Sequence, residues 1–329
     1  MTRQRTRPRP DLKHLRSESS NPVSAHLDLQ SSLQIVRIIN TEDAKVAVAV
    51  RRALPTIAGV IDLVAAALAK GGRLIYVGAG SSGRIAALDA AECPPTFNSD
   101  PRMVQFMMAG GRRALGAAVE ASEDSRRLGQ RDMARLKPGR KDVVVGVAAS
   151  GRTPFTVAAL QYARQHGAKT IAVTCNRKSV LEGVAHLAIV TDVGPEVLAG
   201  SSRMKAGTAQ KMVLNMLSTG AMTRLGYVYG NLMVNVFPKN EKLRERGIGI
   251  LQQAVGINRR KARQALKAAG NRVPVALVML KSGVTRGAAE DWLKATGGHV
   301  RKSIALASRP GLQNKSKYGA AEGFSFQIK

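Results

Sequence analysis

The chain has 329 residues, 44% of them hydrophobic, and 51 Lys+Arg against 22 Asp+Glu give a formal net charge of +29. This composition predicts a folded chain with a sizeable core, and no apolar run reaches the roughly 20 residues of a membrane span. The Arg- and Pro-rich N-terminus lacks the apolar stretch of a secretory signal, and two cysteines, Cys93 and Cys175, exclude a disulfide framework and a four-cysteine zinc site.

The N-terminal part is predicted to be a disordered basic arm over residues 1–16 and a helical segment over 17–56, with Pro55 as a helix kink or boundary. Helices and short apolar strands then alternate. Strands are predicted over residues 73–77, 103–109, 142–148, 170–175 and 187–191. Helices are predicted between or after them over residues 84–91, 114–136, 155–166 and 203–225. The strands are continuous Val/Ile runs, which are typical of a parallel sheet covered on both faces.

We therefore expect an α/β fold over residues 57–246, a doubly wound and mainly parallel sheet that binds ligands at the carboxyl ends of its strands. Beyond it, a small helical domain is predicted over 247–307 and a flexible tail over 308–329. Its helices are predicted over residues 248–256, 259–269, 273–281 and 286–295.

The positive charge is densest at the two ends of the chain, with 6 basic and 2 acidic groups in residues 1–20 and 15 and 3 in residues 251–329. Aromatic residues make up only 4%, so platforms for base stacking are not evident. Nucleic acid is therefore not the favoured partner. A solvated Arg-rich surface explains the charge best, and a specific anionic partner is the alternative.

The first glycine-serine loop, residues 78–83 (GAGSSG), follows a strand and precedes a helix. Its G-x-G-x-x-G spacing also matches a dinucleotide loop. The acidic ribose partner expected about 20 residues later is missing, because glycines and arginines occupy residues 110–113. A variant that binds NADP stays open on this pattern.

A second loop, residues 149–153 (ASGRT), lies between another strand and helix. Two hydroxyl-bearing loops at the ends of parallel strands predict one phosphate pocket, because glycine exposes backbone N–H groups and hydroxyls add donors. A third cluster, residues 200–208, offers Ser202 as a helix N-cap and cations beside it. The predicted substrate- and phosphate-binding residues are Gly80, Ser81, Ser82, Gly83, Ser150, Gly151, Arg152, Thr153, Ser201, Ser202 and Lys205.

Two carboxylates are placed for acid–base chemistry. Glu92 precedes Cys93 and two prolines that restrain the backbone, and Glu123 belongs to a cluster with Glu120 and Asp124. A phosphosugar pocket with two separated carboxylates suits removal of a proton next to a carbonyl. Isomerisation and β-elimination both need such a pair, and residue types alone do not separate them.

Three strings carry a family resemblance: IYVGAGSSGRIAALDAAECPPTF (75–97), VVVGVAASGRTPF (143–155) and GSSRMKAGTAQKMVLNMLSTG (200–220). Over residues 17–307 the chain resembles the N-acetylmuramic acid 6-phosphate etherases of the sugar isomerase (SIS) domain superfamily. The resemblance implies a flavodoxin-like SIS fold and cleavage of a D-lactyl ether by elimination and hydration. It also implies a cytoplasmic homodimer that acts in cell-wall sugar recycling without a metal or an organic cofactor.

The same resemblance implies that Glu123 is the base and that Glu92 is the acid that assists lactate departure. Glu92 must then be protonated near neutrality, so we expect it in an apolar, desolvated setting. The sequence departs from the family pattern at Asn235, where Asp is expected, and at Arg112 and Arg113. A sugar-phosphate-sensing regulatory protein without catalysis, as in the related glucokinase regulatory protein, is the alternative function. Neither His186 nor Cys93 is assigned a catalytic role.

Overall fold

A computed structural model describes residues 19–117, 119–236 and 241–309. These residues divide into two compact units. The first comprises the chain up to Cys93 together with Asp100–Ala221, and the second comprises Pro94–Ser99 and the chain from Met222 onward. The predicted boundary between residues 246 and 247 falls inside the second unit. The predicted arm over residues 1–16 and nearly all of the predicted tail lie outside the described residues.

The first unit is built on a sheet of five parallel strands in the order β2-β1-β3-β4-β5, which confirms the predicted doubly wound α/β class. Every residue of β1 and β3 is buried, as their apolar runs predict. The strand order reverses between β1 and β3, where open α/β sheets bind ligands. The strands are β1 (Leu74–Gly78), β2 (Val104–Met108), β3 (Val143–Val147), β4 (Lys169–Thr174) and β5 (Leu187–Val190).

The helices of this unit mostly follow the predicted pattern. Pro55 lies in the first turn of α2, where the backbone N–H that proline lacks would have no partner within the helix. The predicted helical stretch over residues 114–136 is divided into a 3₁₀ turn and two helices. Ser125 starts the second of these helices by accepting a hydrogen bond from Leu128 N at 3.2 Å. The helices are α1 (Ser32–Arg51), α2 (Leu54–Ala69), α3 (Gly80–Phe97), α4 (Glu120–Glu123), α5 (Arg126–Leu136), α6 (Pro154–Gln165), α7 (Val180–Val184) and α8 (Lys205–Arg224).

The helix α3 is longer at both ends than the predicted span of 84–91. It begins within the first glycine-serine loop and continues through Pro94 and Pro95. These prolines cannot donate to the carbonyls of Ala90 and Ala91, so the last turns of α3 lack two of their backbone hydrogen bonds. Glu92 therefore lies in the helix rather than just after it.

The second unit is helical and packs around a core that includes Val234, Leu251, Leu277 and Val300. Four of its helices were predicted, and a fifth, α13, was not. His299 begins α13 by accepting from Lys302 N at 3.4 Å. The helices are α9 (Glu241–Val255), α10 (Arg259–Ala268), α11 (Val273–Ser282), α12 (Arg286–Ala295) and α13 (Val300–Ala307).

No single helix in the described ranges of the chain is both long and apolar enough to cross a bilayer. The helices α1 and α2 meet the criterion only when taken together, as a pair bent by 62°.

Candidate active site

The first glycine-serine loop is the N-terminus of α3. Only Ala79 separates the end of β1 from Gly80, so the serines of the motif lie in the first helical turn. Glycine is required at Gly78, where a Cβ atom would lie 2.8 Å from the backbone nitrogen of Gly83. The first N–H groups of a helix have no partner within it, and they favour an anion. Ser82 Oγ is held in place by Gln210 Oε1 of α8, at 2.9 Å.

The second loop connects β3 to α6 and is held at Gly151, which has a φ of +66°. A Cβ atom there would lie 2.4 Å from Ser179 Oγ, so no other residue fits. Leu181 N donates to the carbonyl of Gly151 at 2.9 Å, and Arg152 N donates to Ser150 Oγ at 3.2 Å. These bonds hold the loop against α7 and shape its backbone.

The two loops lie side by side. They follow neighbouring strands, and Gly78 at the end of β1 is in register with Val147 at the end of β3. This is the topological switch point of the sheet, which is the expected ligand position. The predicted hydroxyl donors at this edge are all half-buried: Ser81, Ser82, Ser150 and Thr153.

Glu123 stands directly against the first loop. A Cβ atom at Gly80 would lie 2.9 Å from Glu123 Oε1, so the carboxylate touches the start of α3. Burial raises the pKa of Glu123, the charges of Asp124 and Glu120 raise it further, and Arg84 opposes them. A carboxylate of raised basicity beside an anion-binding helix terminus is suited to accept a proton from a bound phosphosugar.

Arg84 holds the segment that leads to Glu123. Its Nε donates to the carbonyl of Leu115 at 3.2 Å, and its Nη2 donates to the carbonyl of Ala117 at 2.9 Å. One side chain of α3 thus fixes the segment before α4. Sequence analysis missed this role because the bonded residues are more than 30 positions apart.

Glu92 has a different setting from the one predicted. It is exposed on α3 rather than enclosed in an apolar pocket, and it follows Gly80 by twelve residues, roughly 18 Å along the helix axis. The buried side of the same helix carries Asp89, which accepts from Tyr76 OH at 2.9 Å and from Ser218 Oγ at 3.0 Å. Burial raises the pKa of Asp89 to about 6, against the lowering effect of these two hydrogen bonds.

The third cluster, residues 200–208, differs from the prediction in the residue that caps the N-terminus of α8. α8 begins at Lys205, and the buried carboxylate of Glu196 accepts hydrogen bonds from the backbone nitrogens of Lys205 and Ala206, both at 2.9 Å. Glu196 therefore performs the capping role that the sequence indicated for Ser202. Ser202 instead accepts from Gly207 N through its carbonyl, at 3.0 Å, and its side chain and that of Ser201 are half-buried.

Lys205 is buried in an ion pair rather than presented to the loops. Its side chain is 1% exposed, and Nζ lies 2.6 Å from Glu42 Oε2 of α1. Glu42 also accepts from Asn21 and Lys45. Although burial opposes it, hydrogen bonds from Lys205, Lys45 and Asn21 lower the pKa of Glu42 to about 2. Lys205 therefore has a structural role in the described chain instead of the predicted contact with the substrate.

The contribution of the Lys205–Glu42 ion pair to stability can be tested by substitution. Lys205→Met removes the buried cation from the Glu42 carboxylate, so we expect the free energy of unfolding to fall by about 3–5 kcal/mol in urea titration. Lys45→Met is the matched control, because Lys45 bonds the same carboxylate but is 58% exposed, and it should cost less than about 1 kcal/mol. Equal small losses for both variants would contradict the prediction.

His186 and Cys93, which were not assigned a catalytic role, both have structural roles in the first unit. His186 Nδ1 accepts from Thr170 N at 3.1 Å, which ties the start of β5 to β4. Cys93 is buried, and this burial raises the pKa of its thiol to about 12, with a smaller contribution from the nearby charge of Asp89. A thiol with such a pKa is not a nucleophile near neutrality.

Comparison with known proteins adds to this geometry. Residues 56–164 match the model of the glucokinase regulatory protein N-terminal SIS domain, and residues 123–220 match the SIS domain model. An N-acetylmuramic acid 6-phosphate etherase from Escherichia coli O81 (strain ED1a) is 48% identical over 293 residues, 89% of this chain and 98% of the relative. The chain belongs to the N-acetylmuramic acid 6-phosphate etherase family.

Other etherases of that family are equally similar. The protein from Pasteurella multocida (strain Pm70) is 47% identical and covers 88% of this chain and 96% of its own length. Among solved structures, a phosphoheptose isomerase from Francisella tularensis is 17% identical, with a TM-score of 0.44, and the match covers 59% of this chain and all of that one. So distant a likeness has no bearing on function.

Proposed function

We propose that the protein cleaves the D-lactyl ether of N-acetylmuramic acid 6-phosphate, giving N-acetylglucosamine 6-phosphate and D-lactate. The observation that carries the proposal is the contact of the Glu123 carboxylate with the N-terminus of α3 at Gly80. It places a base of raised pKa next to the point where the sugar phosphate would bind. The names of the relatives support this choice over a dinucleotide enzyme.

Binding in this proposal uses the two loops. The phosphate accepts hydrogen bonds from backbone N–H groups at the start of α3, where Ser82 lies, and from hydroxyls of Ser81, Ser150 and Thr153. The Ser82 hydroxyl donates to Gln210, which ties the first turn of α3 to α8, and Gly151 allows the second loop to approach closely. The positive charge of the chain attracts the phosphate and the lactyl carboxylate, so a small anion rather than nucleic acid is the proposed ligand.

The reaction proceeds from the open-chain aldehyde of the sugar, whose carbonyl acidifies the proton on C2. Glu123 removes that proton, a C2–C3 double bond forms, and the C3–O bond to lactate breaks. Glu92 donates a proton to the departing oxygen. Water then adds at C3 of the unsaturated aldehyde: Glu92 takes a proton from the water as its oxygen bonds to C3, and Glu123 returns a proton to C2. This completes N-acetylglucosamine 6-phosphate and restores both glutamates to their starting states.

Purified protein incubated with N-acetylmuramic acid 6-phosphate should release D-lactate in amounts equal to the amino sugar phosphate formed. N-acetylglucosamine 6-phosphate is the control, because it lacks the ether. Folded protein that releases no D-lactate would contradict the proposal.

A non-catalytic regulatory protein that senses sugar phosphates is the second candidate, favoured by the match of residues 56–164 to the glucokinase regulatory protein domain. Such a protein would bind N-acetylmuramic acid 6-phosphate without turnover. Calorimetric binding of the intact compound with no D-lactate formed would identify this function.

We further propose that the protein is a cytoplasmic homodimer that serves peptidoglycan recycling. Apolar surface supports the dimer, because Leu33 and Val36 of α1 and Leu54 of α2 are exposed although large and hydrophobic. A groove of about 630 Å³ between α2 and α8 adds to this surface, lined by Leu54, Ile57, Ala58, Ile61, Met212, Asn215, Met216, Thr219 and Gly220.

A further inference from the structure

On the basis of the etherase activity proposed above, we propose that Arg84 is a positioning residue for the proton transfer by Glu123. In this role it acts through Glu123 rather than on the substrate. Its side chain joins α3, which begins at the proposed phosphate site, to the part of the chain that leads to Glu123. The carboxylate thereby stays within reach of C2 of a sugar whose phosphate is bound at the same helix terminus.

The first step concerns how Glu123 is attached to the rest of the unit. It belongs to the four-residue helix α4, which follows a turn segment, residues 111–117. Within this turn segment only Ala114 is buried, and Leu115 is 41% exposed. Burial of apolar side chains therefore does little to fix the segment, and a single helical turn is not stable by itself. Hydrogen bonds have to supply the restraint.

The second step is the pair of hydrogen bonds from Arg84. Nε and Nη2 donate to the carbonyls of Leu115 and Ala117, at 3.2 and 2.9 Å. Two donors of one planar guanidinium fix both the distance and the angle between α3 and the turn segment, which a lysine ammonium does not do. Gly80, against which Glu123 Oε1 lies, is four residues before Arg84 and hence on the same face of α3. The turn segment and the carboxylate are therefore held against one face of the same helix.

The third step concerns charge. Burial raises the pKa of Glu123, the charges of Asp124 and Glu120 raise it further, and the charge of Arg84 lowers it. The helix α6 also packs against α4, and residues 154–161, its first two turns, carry no charged side chain. Arg84 therefore keeps more of the Glu123 carboxylate ionised at a given pH, and only the ionised form accepts a proton.

Substitution of Arg84 by methionine tests both effects. Arg84→Met removes the two bonds, so exchange of the C2 proton at saturating substrate should fall by about 10²-fold, as expected when reacting groups are misplaced. Loss of the cation raises the pKa of Glu123, and activity falls as the pH drops through that pKa. The acid limb of the pH–rate profile should therefore move to higher pH. This direction is opposite to the one expected for Glu120→Gln.

Arg84→Lys separates position from charge. It keeps the cation but not the two-pronged bond, so exchange should fall while the acid limb stays near its wild-type pH. Arg164→Met is the matched control, because Arg164 of α6 also donates to two backbone carbonyls, those of Val184 and Ala185 at the end of α7. It should leave both the exchange rate and the acid limb unchanged. Unfolding curves in urea establish that each variant is folded.

The outcomes distinguish positioning from a general loss of structure. Wild-type exchange in folded Arg84→Met or in Arg84→Lys would overturn the proposal. An acid limb that stays in place in Arg84→Met would do the same, as would an equal loss of exchange in Arg164→Met. Wild-type protein that neither exchanges the C2 proton nor releases D-lactate would instead overturn the proposed function, and this inference with it.

Discussion

Glu123→Gln should lower D-lactate release by on the order of 10²- to 10⁴-fold, the usual contribution of a general base. The amide cannot accept the C2 proton, so exchange of that proton with deuterated water should be lost as well. Proton NMR of the substrate in deuterated buffer measures the exchange, and an enzymatic D-lactate assay measures the release. Exchange at the wild-type rate in this variant would show that Glu123 is not the base.

Glu120→Gln is the matched control, because it makes the same change three residues away on the same short helix, at an exposed position. It should keep most of the activity. Only ionised Glu123 accepts a proton, so activity falls as the pH drops through its pKa. The charge of Glu120 raises that pKa. Its removal should therefore shift the acid limb of the pH–rate profile to lower pH.

Glu92→Gln should strongly lower D-lactate release while leaving C2 proton exchange measurable. The base is untouched in this variant, so the proton still leaves and returns, but the ether oxygen departs without a proton donor. The expected loss of lactate release is again on the order of 10²- to 10⁴-fold. The same two measurements separate the roles of the two glutamates, because only Glu123→Gln should lose both.

Loss of exchange in Glu92→Gln would contradict an acid-only role. The folded state of the variant is checked by its unfolding curve in urea. Because Glu92 is exposed in the chain, its replacement should leave the stability of the subunit unchanged. A loss of activity without a loss of stability would then report on chemistry alone.

The amino-acid sequence by itself determined the strands, most helices and the two loops. Five apolar runs became five parallel strands, of which β1 and β3 are buried throughout, and glycine-serine motifs followed β1 and β3 as predicted. These features depend on local patterns: residue hydrophobicity, the conformational freedom of glycine, and the spacing of a strand, a turn and a helix. The family strings around Glu92 and Glu123 also lie within short stretches.

Only the tertiary structure decided which groups meet. Glu196 rather than Ser202 caps α8, Lys205 pairs with Glu42 instead of facing the loops, and Arg84 holds the segment that precedes Glu123. The physical reason is that each partner is distant in sequence and is selected by burial, where an unpaired charge or polar group is costly. The exposure of Glu92 is of the same kind, since the anchoring of α3 through Asp89 sets its direction.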